Sequence, residues 1–319
     1  SYEVTTFRTE SDYEDHRRPS SVSFVSSLRE DLMRRDFTMN AIAMSVEGEI
    51  VDPFSGKNDL DSRLIRTVGR AVDRFQEDPL RMMRAIRFTS QLSFRIEKKT
   101  IQALEQLAHE LQHISVERIT AEFEKLLLGQ DTGEAFRLLV DSGLFAYLPG
   151  LAERKDLLNR VAAFDLTSLE DLSERWALVC IILEPDNLQS WLRQWKLSNK
   201  SVNQIVRLKE TVQRIERESW TPLLVYETGL ETALSAEKVF SLLHNKQTRF
   251  KMIEQVYAGL PVKQRNELAV GGKDLLDWFQ KKPGPWVAQQ IEAIETAVID
   301  GEIKNNKEAV RAWLQKRTF

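Results

Sequence analysis

The sequence predicts an α+β chain: a short run of paired strands near the N-terminus, then helices to the end. Two observations carry this. Residues Tyr2 to Phe7, and Ile42, Met44 and Val46, alternate with the period of a strand. Beyond Gly69 the apolar residues recur at helical spacing instead.

Taken in order, Tyr2-Glu3-Val4-Thr5-Thr6-Phe7 reads as a strand with Glu3, Thr5 and Phe7 on one face. Residues Glu10 to Ser23 are polar, mixed in charge and interrupted by Pro19, and read as a flexible loop. Ser27-x-x-Glu30 has the form of a capping box that opens a short helix ending near Arg34. Glu47-Gly48 turns the chain between Ile42–Val46 and Glu49–Val51, a hairpin. Helices are expected near residues 78 to 92, 97 to 111 and 116 to 128, the last with Ser115 as N-cap. Another runs from Glu134 to Ser142 and stops at Gly143. Pro149-Gly150 marks a seam, and Pro283-Gly284-Pro285 precedes final helices near 287 to 299 and 306 to 317.

The chain has 319 residues, enough for about two domains. Its formal charge of −3 means that any nucleic-acid contact must use local basic patches, since phosphate binding favours a net basic domain. A single Cys180 in the apolar run Trp176-Ala-Leu-Val-Cys-Ile-Ile-Leu reads as a buried thiol and suits a reducing, cytoplasmic setting. That run is too short to span a membrane. His16, His109, His113 and His244 do not cluster with metal-ligand spacing. Gly272-Lys273-Asp274 lacks the full phosphate-loop pattern.

The segment with most chemical content is Asp78-Pro-Leu-Arg81-Met-Met-Arg84-Ala-Ile-Arg87. An acceptor-only carboxylate is followed by three donor-only guanidiniums. Asp78 facing an exocyclic amino group and Arg81 facing a ring acceptor would fit both cytosine and adenine, whereas guanine and uracil put a carbonyl where the carboxylate expects a donor. The structural alternative is a helix N-cap followed by Pro, with Asp78 paired to Arg81. Steps of three drift by about 60°, so Arg87 winds away from Asp78.

Further ordered segments surround it: Arg34-Arg35-Asp36-Phe37-Thr38-Met39-Asn40-Ala41, Asp52-Pro-Phe-Ser-Gly-Lys-Asn-Asp-Leu60, Ile65-Arg-Thr-Val-Gly69, Glu77-Asp78-x-x-Arg81, Ser115-Val-Glu-Arg118-x-x-x-Glu122-x-x-Lys125 and Glu267-Leu-Ala-Val-Gly-Gly-Lys-Asp-Leu275. Together these resemble the class II, bacterial-type CCA-adding enzymes, and the related poly(A) polymerases, over nearly the whole chain. The resemblance implies the remnant of a nucleotidyltransferase, palm-like head at residues 1–69, a base-recognising neck at 70–128, a helical body at 129–195 and a tRNA-binding tail at 196–319. It implies addition of CCA to the 3′ end of tRNA from CTP and ATP with release of pyrophosphate, magnesium as cofactor, and the tRNA acceptor end as partner. A homodimer stays open, as does an A-adding or poly(A) polymerase activity; the rival from another class is a noncatalytic tRNA-binding protein.

By the same resemblance Glu3 is a catalytic carboxylate, Arg35 a nucleotide contact, and Asp36 and Asn40 ribose contacts, while Asp78 and Arg81 read the base and Arg84 and Arg87 complete a cationic wall. The loop from Arg8 to Val22 matches one that assists the switch from CTP to ATP, which argues against a C-only enzyme. Glu117, Arg118 and Glu122 are expected to brace the neck helix, and scattered Lys263, Arg265 and Lys273 to face tRNA. Family members also carry a Gly-Gly turn and an Asp-x-Asp pair that holds the metal ions. This pattern is not found in the sequence, and the chain as it stands is expected to be inactive.

Overall fold

The computed structural model describes residue 6, the backbone of residues 8–10 and 22–24, and residues 27–317. Glu3, the strand expected over Tyr2–Phe7 and most of the loop from Arg8 to Val22 lie outside the described residues.

Two compact units divide at residues 206 and 207. The first opens with β1 (Arg8–Glu10) antiparallel to β2 (Val22–Phe24), so Val22 and Ser23, expected in the loop, belong to a strand. Then come α1 (Leu28–Met33), with the Ser27 hydroxyl accepting from Glu30 N, and the expected hairpin of β3 (Ala43–Met44) and β4 (Ile50–Val51). α2 (Gly56–Asp61) and β5 (Leu64–Ile65) follow.

The segment expected as one helix from 78 is preceded by a second. α3 (Ala71–Glu77) and α4 (Leu80–Leu92) are separated at Asp78, which is extended at φ −144, ψ 98. The cause is Pro79, whose ring disfavours helical geometry in the residue before it. Helices also do not run unbroken past Gly69. α4 stops where Ser93 turns left-handed, and β6 (Arg95–Ile96) pairs in parallel with β5, placing a second small sheet element in the region expected to be all helix. Arg95 N donates to Arg63 O and Glu97 N to Ile65 O, giving these backbone groups partners that a continued helix would not.

α5 (Lys98–Leu107) ends in a 3-10 stretch at Ala108–His113. α6 (Val116–Leu127) follows Ser115, whose side chain makes no capping bond. α7 (Thr132–Asp141) is capped by Asp131 and ends before Gly143 at φ +75, as expected. α8 (Lys155–Val161), α9 (Leu172–Leu183) and α10 (Leu188–Gln194) complete the first unit, and α11 (Asn199–Glu218) contains the division.

The Pro149-Gly150 seam is instead a packed turn within this unit. Gly150 has φ +65, its carbonyl accepts from Trp191 Nε1 at 3.3 Å, and a Cβ there would meet that nitrogen at 2.3 Å. Nearby, Phe123 packs on Trp195 and Trp176 with ring centroids 4.5 and 5.3 Å apart, and all three rings are buried. Cys180 is buried in α9.

α4 packs on both α6 and α7. Ser90 Oγ donates to Leu126 O at 2.7 Å, and Ser90 O accepts from Gln130 N and Asp131 N. A Cβ at Gly129 would lie 2.0 Å from Ser90 Oγ, so the approach of these two helices depends on glycine.

The second unit contains α12 (Pro222–Thr228), α13 (Leu230–His244), α14 (Phe250–Gly259), α15 (Gly272–Phe279), α16 (Pro285–Ile299) and α17 (Lys307–Lys316). α12 packs on α13, α14 and α16. Two ionic clusters hold it. Glu237, fully buried, accepts from Arg249 Nε and NH2 at 2.9 Å each, from Arg249 N at 2.8 Å and from Trp220 Nε1 at 2.7 Å. Glu295 accepts from the Tyr226 hydroxyl and from Arg265 Nε at 3.0 Å.

Candidate nucleotide site

The segment after α1 and the α3–α4 pair, separated in sequence, are joined by three arginines. Arg74 NH1 donates to Met33 O at 3.2 Å, Arg81 NH2 to Arg34 O at 2.9 Å, and Arg84 Nε to Asp36 Oδ2 at 2.7 Å. Phe37, fully buried, sits edge-on to Phe88 of α4 with centroids 5.7 Å apart. Backbone bonds from Thr38 N to Arg66 O and from Val68 N to Asp36 O tie the same segment to the strand end at Ile65–Val68.

Asp36, Asn40 and Arg84 form one network. Asp36 Oδ1 accepts from its neighbour Phe37 N at 2.8 Å and from Asn40 Nδ2 at 2.9 Å, while Oδ2 takes the guanidinium. Asp36 is buried, whereas the Arg84 side chain stays 31 % exposed. Arg35 is freer, 45 % exposed, with one 3.4 Å contact to buried Asp31.

Asp78 occupies the break between α3 and α4. Its Oδ1 accepts from Leu80 N at 3.1 Å, as the capping reading requires, and its Oδ2 accepts from Arg118 NH2 of α6 at 2.8 Å. The local Asp78–Arg81 ion pair is not made. Arg81, buried, donates instead to Glu77 Oε2 at 2.8 Å, one helical turn back.

Arg87 is turned inward, as its drift around the helix implied. It is buried, its Nε lies 3.1 Å from Glu122 Oε2 of α6, and its guanidinium stands 3.9 Å above the Phe88 ring. Burial pushes its pKa down against the opposing charge of Glu122. The exposed cations of this region are therefore Arg35 and Arg84, and Arg87 faces the helix interior. Glu122 also accepts from Lys125 at 3.2 Å.

Glu77, Asp31, Phe88 and the link from Arg118 to Asp78 were not assigned these parts from the sequence. The i, i+4 spacing of Glu77 to Arg81 and of Asp31 to Arg35 was a usable signal. Nothing local announces Arg118, which reaches Asp78 across 40 positions. Among the described residues no three His, Cys, Asp or Glu gather into a cation-holding group. These residues therefore do not supply the metal site that the resemblance implies. In the second unit, Arg265 is committed to Glu295, which leaves Lys263 and Lys273 as the exposed cations of the three expected to face tRNA.

Three family models match in order along the chain: "Poly A polymerase head domain" over residues 1–66, "Probable RNA and SrmB- binding site of polymerase A" over 93–155, and "tRNA nucleotidyltransferase domain 2 putative" over 167–314. The chain is 49 % identical over 317 residues to the CCA-adding enzyme of Bacillus cereus (strain ATCC 10987 / NRS 248), covering 99 % of this chain and 80 % of that protein. It is 48 % identical, with the same coverage, to the CCA-adding enzyme of Bacillus anthracis (strain A0248). The crystal structure of the Bacillus stearothermophilus CCA-adding enzyme in complex with CTP matches with a TM-score of 0.94 at 46 % identity, over 99 % of this chain and 78 % of that one. The Thermotoga maritima CCA-adding enzyme complexed with tRNA_CCA, at 20 % identity and TM-score 0.61 over 91 % and 74 % of the two chains, shares the fold. With near-half identity sustained from the head through the last helices, the chain belongs to the class II tRNA nucleotidyltransferases, the CCA-adding enzymes.

Proposed function

We propose that this enzyme selects nucleotides with a protein template built on the α3–α4 break. The reaction is CCA addition: CMP and AMP pass from CTP and ATP to the 3′ end of tRNA, and pyrophosphate is released. The tRNA 3′ oxygen forms a bond to the α-phosphorus as the bond to pyrophosphate breaks. The family uses a divalent metal to stabilise charge at the phosphates. Magnesium is our assignment for that ion, and Glu3 our assignment for a carboxylate beside the reacting 3′ hydroxyl.

Asp78 accepts from the exocyclic amino group shared by cytosine and adenine, and Arg81 donates to the neighbouring ring nitrogen. The observation that supports this best is the state of the two side chains. The Asp78 carboxylate carries one donor on each oxygen, and Arg81 is anchored by Glu77 and Arg34 O. Both are thus held before a base arrives, which lowers the ordering cost of recognition. Arg35 and Arg84 serve the triphosphate, and Asp36 with Asn40 the ribose. Arg87, by its burial, supports Phe88 and α4 from behind rather than at the nucleotide.

Residues 1–69 are assigned to the head, 70–128 to the neck, 129–195 to the body and 196–319 to a tail that holds tRNA through backbone and shape. No described helix is long and apolar enough to cross a membrane, and the tRNA substrate argues for work in the cytoplasm. The test supplies CTP and ATP separately to tRNAs ending before CCA and before the final A, and to an unrelated RNA. Incorporation of C then A on tRNA alone is expected. Extended A-tailing of unrelated RNA would instead identify a poly(A) polymerase.

A further inference from the structure

We propose that Arg118 is a positioning residue for nucleotide selection: from α6 it fixes the Asp78 carboxylate in the orientation that reads the base. The inference rests on the template reading above. Arg118 NH2 holds Oδ2 at 2.8 Å while Leu80 N holds Oδ1 at 3.1 Å, so rotation of the carboxylate breaks both bonds. A carboxylate has about four lone-pair sites, and one donor on each oxygen leaves sites on both for a ligand. The pair is also reachable, with the Asp78 side chain 19 % and the Arg118 side chain 24 % exposed. α6 is a firm platform, because Ser90 Oγ bonds Leu126 O and the close approach at Gly129 admits no side chain.

A second observation separates this role from simple bracing. NH1 of the same guanidinium is buried with no hydrogen-bond partner, an arrangement that costs stability. The bracing arginine Arg249 instead donates to its carboxylate partner through both Nε and NH2. Arg118 gives up that second bond and keeps the one to Asp78.

The experiment measures kcat and KM for CTP, ATP and UTP on tRNA substrates with the enzyme and with Arg118→Met, Arg118→Lys, Asp78→Ala and the Asp78→Ala/Arg118→Met double variant, each with its Tm. Arg118→Met is expected to lower the preference for CTP over UTP by about tenfold or more, the scale of one base-reading contact, with Tm little changed. Lys, with one suitable donor, should restore part of the preference. On the Asp78→Ala background Arg118→Met should change nothing further, since its effect passes through Asp78. If Asp78→Ala loses selectivity while Arg118→Met keeps it, the inference is overturned and the template stands. An equal loss for all three nucleotides with a fall in Tm marks Arg118 as a brace and also overturns it. If Asp78→Ala itself keeps wild-type selectivity, the template reading fails and takes this inference with it.

Discussion

The carboxylates of the α3–α4 region and those of the second unit are engaged in different ways. Glu237 is fully buried and takes four donors at 2.9 Å or less, three of them from Arg249. Asp78 takes two donors and stays partly exposed. A saturated carboxylate has no capacity left for a ligand, and removing its partner leaves an uncompensated buried charge. An unsaturated, oriented one can still accept a bond. The difference predicts that substitutions in the second unit act on stability and substitutions at the α3–α4 break act on selectivity.

The largest effect is expected from Arg249→Ala. It strands the Glu237 carboxylate, and breaking a buried pair typically costs about 3–5 kcal/mol. Urea denaturation should show that loss, while the folded fraction keeps its preference for CTP and ATP. A selectivity change without a stability change would break the comparison.

Next in size are Asp78→Ala and Arg81→Ala. Each should cost about 1–3 kcal/mol of discrimination between accepted and rejected nucleotides, read as the ratio of kcat/KM for CTP and UTP. Arg81→Ala should also lose some stability, because it leaves Glu77 without its 2.8 Å partner and Arg34 O without a donor. Asp78→Ala should lose less. Wild-type rejection of UTP and GTP in both variants would mean that Asp78 is only the cap its bond to Leu80 N makes it.

The acid limb of stability sharpens the contrast. Burial alone would raise the Glu237 pKa, but the bonds from Arg249 and Trp220 outweigh it and hold the group below its ordinary value. A carboxylate depressed in the folded state contributes stability above its unfolded pKa of about 4.5. That contribution is lost as pH falls below this value toward the folded pKa. A pH series of thermal melts should therefore show destabilisation below about pH 4.5, and Glu237→Gln should flatten that limb. An acid limb of unchanged steepness in the variant would assign it elsewhere.

What the sequence disclosed follows the range of the forces involved. The helix stop at Gly143, the Ser27 cap and the 42–51 hairpin are local, and each forms as expected. The inward turn of Arg87 was implicit in the helical repeat. Pro79 was visible too, yet its effect on Asp78, a break rather than a simple helix start, needed α3 to be recognised on the other side. The bonds that shape the candidate site are between segments: Arg84 to Asp36, Arg81 to Arg34 O, Arg118 to Asp78. No periodicity encodes them, because they depend on how α4 and α6 are brought together at Ser90 and Gly129. Arg265 shows the converse, since a surface-looking cation proved committed to a buried partner, Glu295.

The smallest expected effect concerns what is left on the second unit once its arginines are accounted for. With Arg265 held by Glu295, Lys263 and Lys273 are the exposed cations of the expected tRNA face, and the chain as a whole carries a formal charge of −3. A net-acidic chain neutralises few phosphates, so the logarithm of tRNA affinity should fall only shallowly with the logarithm of salt concentration. Each phosphate contact contributes about 0.7–0.9 to that slope. Lys273→Ala, if Lys273 touches a phosphate, should therefore reduce the slope by slightly less than one and weaken binding alike for every tRNA sequence. The sequence independence follows from A-form RNA, which presents phosphates and 2′ hydroxyls more readily than base edges. Filter binding of several unrelated tRNAs at a series of salt concentrations measures both quantities. A loss confined to one tRNA would mean that this face reads bases, and the saturated, structural character assigned to the second unit would then not extend to its surface.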